Sequence, residues 1–207
     1  MENNFRKLQK KYGCLTKDKA FLVLKELFGS MADLPFWLSK VSKIQNSVFD
    51  PDPDYSELLP DTVMYNGHLF LKLIHASHCF MDFPAMSKDG LNWGHLIDDW
   101  TENLYLGKAK PDSFYHLIEY CPKYLSPEEL LDPSGFIRKF FKRKKLKSWL
   151  KRWNHFREAA FYTFSIVEET EGEYHKDFQY FLKLTEACYL IYVRFSPTQN
   201  STIDAGI

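Results

Sequence analysis

Between Phe136 and Val167 the apolar residues Phe136, Phe140, Trp149, Trp153, Phe156, Ala160, Phe164 and Val167 recur near helical spacing. A helix patterned in this way must bury a face of large rings, and no stretch of the chain alternates with period two between hairpin turns. The expected fold is therefore all-α: a bundle of about seven to nine helices with an aromatic-rich core and a long C-terminal helical pair. With 18 Phe, 12 Tyr and 5 Trp in 207 residues, the bulk of the chain is too aromatic for disorder. That length fits one domain, which can build a core without disulfides or metals.

Helix boundaries follow from capping chemistry. A basic helix is expected over Asn3–Tyr12, ending at Gly13, and a second begins after Thr16 and stops near Gly29. Asp33 with Pro35 starts a third, reaching about Val48. Three prolines between Asp50 and Asp61 exclude a helix interior there. Further helices are expected over Asp61–Asp82, Asn92–Leu106 and Asp112–Cys121. Ser126-Pro127-Glu128-Glu129 has the form of a capping box. Asp132-Pro133-Ser134 restarts helix toward Thr170, with a hinge or break expected at 142–147, where Leu146 is the only apolar residue. A final helix spans Glu173–Phe195 after Gly172. Residues 1–195 read as a single helical domain and 196–207 as a flexible polar tail.

The four cysteines are widely spaced with no C-x-x-C pair, MENNFRKLQKKYG lacks an apolar leader core, and no run approaches the ~20 apolar residues of a membrane span. These features predict a soluble, cytoplasmic protein with reduced thiols and no membrane span.

Charge is strongly segregated. Arg138 to Arg152, RKFFKRKKLKSWLKR, holds nine basic residues and no acidic one, leaving 18 basic against 27 acidic residues elsewhere, a net charge of −9 in a chain that balances to zero. Such a field attracts polyanions, or acids elsewhere in the same molecule. On a continuous helix Arg138, Lys142 and Lys145 share one side, with Lys139, Arg143 and Lys144 near them and Lys151 and Arg152 further along. Trp149 and Trp153 interleave with these cations, either to stack on unpaired bases or to form the buried side of the helix. The expected partner is a nucleic acid or an acidic protein surface. The opposing reading is a solvated face neutralised by Glu168, Glu169, Glu171 and Glu173. The aromatic helix Trp149–Val167 could also pair with a second copy as a homodimer.

Polar side chains suggest a second class of function. His68, Lys72, His75, Cys79 and Asp82 follow steps of four, three, four and three, with His78 three after His75. His95, Asp98, Asp99 and Glu102 have similar spacing on the next expected helix. Packed together, His75, His78, His95, Asp99 and Glu102 could hold a transition metal in a hydrolytic enzyme. Against this, no Glu-x-x-His or His-x-x-x-His occurs in these segments, and Lys72 repels a cation. Asp50, Asp52, Asp54, Ser56 and Asp61 imitate the spacing of a calcium loop, but Tyr55 replaces the required glycine and Asp61 the bidentate Glu.

Phosphate-cradling glycine loops, a G-x-S-x-G elbow and zinc-type cysteine spacing are all missing. Arg152 and His155 stand too close for the Arg-His motif of the helical HEPN ribonucleases, which needs four to six residues between them. The expectation is a non-enzymatic binding protein without a cofactor. A metal enzyme and a structural or oligomerising module are the alternatives.

Overall fold

The computed structural model describes residues 16–50, 60–82, 121–161 and 172–195, and these form an all-α bundle without strands. Seven α-helices are present among them: α1 Lys17–Leu24, α2 Leu34–Phe49, α3 Pro60–His78, α4 Pro127–Leu131, α5 Pro133–Arg143, α6 Leu146–Ala159 and α7 Glu173–Phe195. The helices expected over Asn3–Tyr12, Asn92–Leu106 and Asp112–Cys121 fall outside or almost wholly outside the described residues, as does the tail.

Starts are fixed by side chains that satisfy the first free N–H groups. Thr16 Oγ1 accepts from the Lys19 N–H at 3.3 Å, Asp33 Oδ1 from Phe36 at 2.8 Å, and Asp132 Oδ1 from Gly135 at 2.8 Å. The Ser126 capping box is complete, with Glu129 N–H donating to Ser126 Oγ at 3.3 Å and Ser126 N–H to Glu129 Oε2 at 3.0 Å. Gly172, with φ of +72°, takes the left-handed turn before α7, a conformation that favours a residue without Cβ.

Two features depart from the expected pattern. After α1 the chain does not end its helix at Gly29 but widens into a π-helix, Lys25–Met31. The Ala32 N–H reaches back five residues to Leu27 at 3.2 Å, and the Trp37 indole donates to the same carbonyl at 3.0 Å. A Cβ on Gly29 would stand 2.6 Å from the Tyr192 hydroxyl, so a larger residue here would force that side chain to shift. The helix expected from Asp132 toward Thr170 is also interrupted. Lys144 and Lys145 are extended (ψ 140° and 152°), so α5 and α6 are separate rods. The break falls inside the 142–147 interval where the apolar face lapses.

The core is built around Phe181 of α7. Its ring lies 5.8 Å from Phe70, 5.2 Å from Trp149, 5.1 Å from Trp153 and 6.0 Å from Phe140, so one residue joins α3, α5, α6 and α7. α7 packs closely on α2 and α5, while α6 packs on α3. The C-terminal pair α6–α7 thus meets through rings, with Phe156 stacked on Phe178 at 4.1 Å. α3 admits α6 at Gly67, whose carbonyl accepts the Trp153 indole N–H at 2.9 Å and where a Cβ would collide with the Arg157 side chain. Because Trp149, Trp153 and Phe156 are covered by their own chain, this part of the aromatic face is not available to a second copy.

His75 of α3 belongs to this core, 2% exposed. Burial, with help from the charge of His78, holds its pKa down to about 4. An unfolded chain protonates the same imidazole near 6.5, so its contribution to stability is complete above that pH and is lost as pH falls toward 4. The loss is on the order of 3 kcal/mol. Urea unfolding across pH 7.5 to 4.5 should show this decline in the wild-type protein and a clearly shallower one in His75→Leu.

Candidate polyanion-binding surface

The nine cations of the basic segment divide into two sets, and α7 does the dividing. Asp177 lies one helical turn before Phe181 on the inward face of α7 and is fully buried. Three cations converge on it: Lys144 Nζ at 2.6 Å, Arg152 Nε at 2.9 Å and Arg143 Nη2 at 3.5 Å. Glu173, one turn earlier and at the rim, takes Lys144 Nζ at 2.8 Å and Arg152 Nη2 at 3.9 Å. The hydrogen bond and charge of Lys144, then the charges of Arg152 and Arg143, hold the Glu173 carboxyl below the usual range.

The same cations also lie over aromatic faces. The Arg152 guanidinium is 4.1 Å from the Tyr174 ring centroid, Arg143 5.0 Å from Tyr180, and the Lys144 ammonium 5.4 Å from Trp149. Two further members of the segment pair with the α4–α5 region. Arg138 reaches Asp132 at 2.8 Å and Lys139 reaches Glu129 at 3.6 Å. Burial alone would push the Glu129 carboxyl up, but hydrogen bonds from Lys183 and the Ser126 N–H, with the charges of Lys183 and Lys139, bring it below its ordinary value.

Five of the nine cations are therefore engaged with acids of the same chain. The other four, Lys142, Lys145, Lys147 and Lys151, are exposed and make no ion pair among the described residues. Lys142 is in the last turn of α5, Lys145 is the residue before α6, and Lys147 and Lys151 stand four apart on one face of α6. α6 has no side-chain cap at its start, unlike α1, α2, α4 and α5.

The two tryptophans do not join this surface. Trp149 is fully buried, stacked on Phe140 at 4.1 Å and donating its indole N–H to the Phe140 carbonyl at 2.9 Å. Trp153 is 1% exposed and bonded to Gly67. Of the two roles open to these rings, the buried side of the helix is the one observed. Lys147, left out of the expected contact set, belongs among the exposed cations. Of the acids expected to neutralise the segment, Glu173 does so, while Glu168, Glu169 and Glu171 lie outside the described residues. Asp177 was missed, although a carboxylate set within the Tyr174–Phe178–Phe181 stripe is itself a signal that a counter-charge must be brought to it.

A second buried carboxylate fastens the other end of the bundle. Glu186 of α7 accepts the backbone N–H of Lys123, those of Tyr124 at 2.9 Å and Leu125 at 2.9 Å, and so ties the segment before α4 to α7. Burial pushes its carboxyl up, against the pull of these three donors.

The histidine face has a different character. His78 stacks edge-on against Phe141 at 4.8 Å, and burial lowers its pKa although Asp82 opposes this. Lys72 faces Glu26 at 3.7 Å. No group of three or more His, Cys, Asp or Glu among the described residues is placed to hold a metal ion, and His95, Asp98, Asp99 and Glu102 lie outside them. Cys79 and Cys188 form no disulfide among the described residues. No helix of the described residues is long and apolar enough to cross a membrane.

No protein-family model, curated protein or solved structure matches this chain.

Removing the Asp177 carboxylate leaves three cations around an apolar turn with only the rim acid Glu173 to balance them. Because each cation keeps some access to water, Asp177→Ala should lose about 3 kcal/mol, the lower end of the range for breaking a buried pair. Arg138→Ala, which breaks an exposed pair, should lose less than about 1 kcal/mol. Urea unfolding of the two variants beside the wild type checks both values.

Proposed function

We propose that this chain is a non-enzymatic helical binding protein that holds a polyanion on Lys142, Lys145, Lys147 and Lys151. One observation carries the reading. In a segment where every other cation has an acidic partner within the chain, these four side chains have none among the described residues and stand in solvent. A lysine ammonium is a compact charge on a flexible stem, suited to contact phosphates or sulfates without demanding one geometry.

The buried, ion-paired floor beneath them supports the same reading. Leu146, Trp149 and Leu150 anchor the start of α6 in the core, and the Asp177 cluster fixes the α5–α6 junction. The four ammonium groups therefore extend from an ordered frame, which reduces the entropy lost on binding. Asp177 and Glu173 have a second effect. By neutralising the inner cations they confine the uncompensated charge to the outer four.

Binding to immobilised heparin, a dense polyanion without bases, tests this reading. The wild-type protein should be retained at low salt and elute as salt is raised, while a variant with all four lysines changed to alanine should pass through or elute at clearly lower salt. Equal retention of the two proteins would show that the surface lies elsewhere.

A further inference from the structure

We infer that the polyanion is a nucleic-acid duplex, held through its phosphates without base readout. This deepens the proposed function and rests on it. The aromatic residues around the four lysines decide between a single strand and a duplex. Proteins that prefer single strands gain about 1–3 kcal/mol for each base stacked on an aromatic side chain. Here the rings beside the lysines, among the described residues, are already occupied. Trp149 and Trp153 are in the core, Tyr174 is covered by Arg152 at 4.1 Å, and Tyr180 lies between Arg143 at 5.0 Å and Trp149 at 6.1 Å. A flexible strand would have to be ordered on this surface with no free ring among the described residues beside the lysines to offset its lost entropy.

A duplex meets the surface without that loss. Its phosphates are already arrayed, at about one charge per 1.7 Å of axis, and its bases need no platform. A membrane is the poorer fit. Helices that lie in a lipid interface bury an apolar face among acyl chains, whereas Leu146, Leu150 and Phe156 of α6 point into the protein and are at most 5% exposed. An acidic protein surface offers charge at lower and less regular density. With lysines as the unpaired cations of the segment among the described residues, and each arginine of the segment paired with an acid, discrimination among base sequences should be slight.

The test is fluorescence anisotropy of the full chain with a labelled 20-base-pair duplex and with the single strand of the same length. Both are titrated at several salt concentrations, beside the four-lysine alanine variant. Circular dichroism of the variant shows that it is folded. The duplex should bind at least about 10-fold tighter than the single strand. Four released phosphate contacts should weaken duplex binding about 150-fold between 50 and 200 mM salt, and the variant should lose that dependence.

Single strand binding as tightly as duplex, or duplex binding unchanged in the variant, overturns the inference. The same protein is also offered heparin, poly-glutamate and vesicles of mixed phosphatidylcholine and phosphatidylserine. Lysine-dependent binding to any of these with no binding to duplex overturns the duplex inference and leaves the polyanion reading standing. Binding to none of the probes removes both.

Discussion

Burial of the Asp177 carboxylate obliges the chain to gather positive charge at one turn of α7, and the packing of α5 and α6 follows from that demand. An uncompensated carboxylate in the core costs several kcal/mol, so it persists only where cations and hydrogen bonds surround it. Arg143 and Lys144 come from the end of α5 and its junction with α6, and Arg152 from two turns into α6. To bring all three to one point the helix must break between Arg143 and Leu146. The extended backbone of Lys144 and Lys145 is that break. Phe181 stands one turn further along α7, so the ionic cluster and the ring cluster are adjacent layers on one helix face.

This arrangement changes the meaning of the basic run. As a string of letters it is a uniform block of charge, but in the fold it has an inner and an outer part with different physics. The inner cations are half-withdrawn from water, paired with carboxylates and laid over Tyr174, Tyr180 and Trp149, where their attraction is structural. The outer lysines stand exposed and make no ion pair among the described residues, the setting in which an ammonium group can exchange counterions for phosphates. Glu129 and Glu186 act similarly elsewhere, Glu129 joining α4 to Lys183 of α7 and Glu186 of α7 holding the Lys123–Leu125 backbone.

Much of the fold was legible because capping is local chemistry. Thr16, Asp33, Ser126 and Asp132 each satisfy N–H groups within three residues, so their roles can be read without knowing the tertiary structure. The final helix, Glu173–Phe195, was legible from Gly172 and its aromatic stripe. Long-range events were harder to see. The π-helix at Lys25–Met31 is tied to Tyr192, distant in sequence, and the partners of the basic run depend on where α7 lies. Helical spacing showed that Trp149 and Trp153 share a face, but a face mixing aromatic and basic residues does not reveal which of them turns inward. Asp177 inside an apolar stripe was the clue that α7 would recruit charge, since a lone acid there has no other way to be accommodated.

If the segment divides into inner cations that hold the fold and outer lysines that do not, the unfolding free energy of the four-lysine variant shows it. Lys142, Lys145, Lys147 and Lys151 are changed together to alanine, and urea unfolding is followed by tryptophan fluorescence, which reports on the buried Trp149 and Trp153. The variant's stability should stay within about 0.5 kcal/mol of wild type, or rise slightly as like charges are removed. A loss of more than about 2 kcal/mol would instead make the outer lysines part of the scaffold, with no surface left free for a partner.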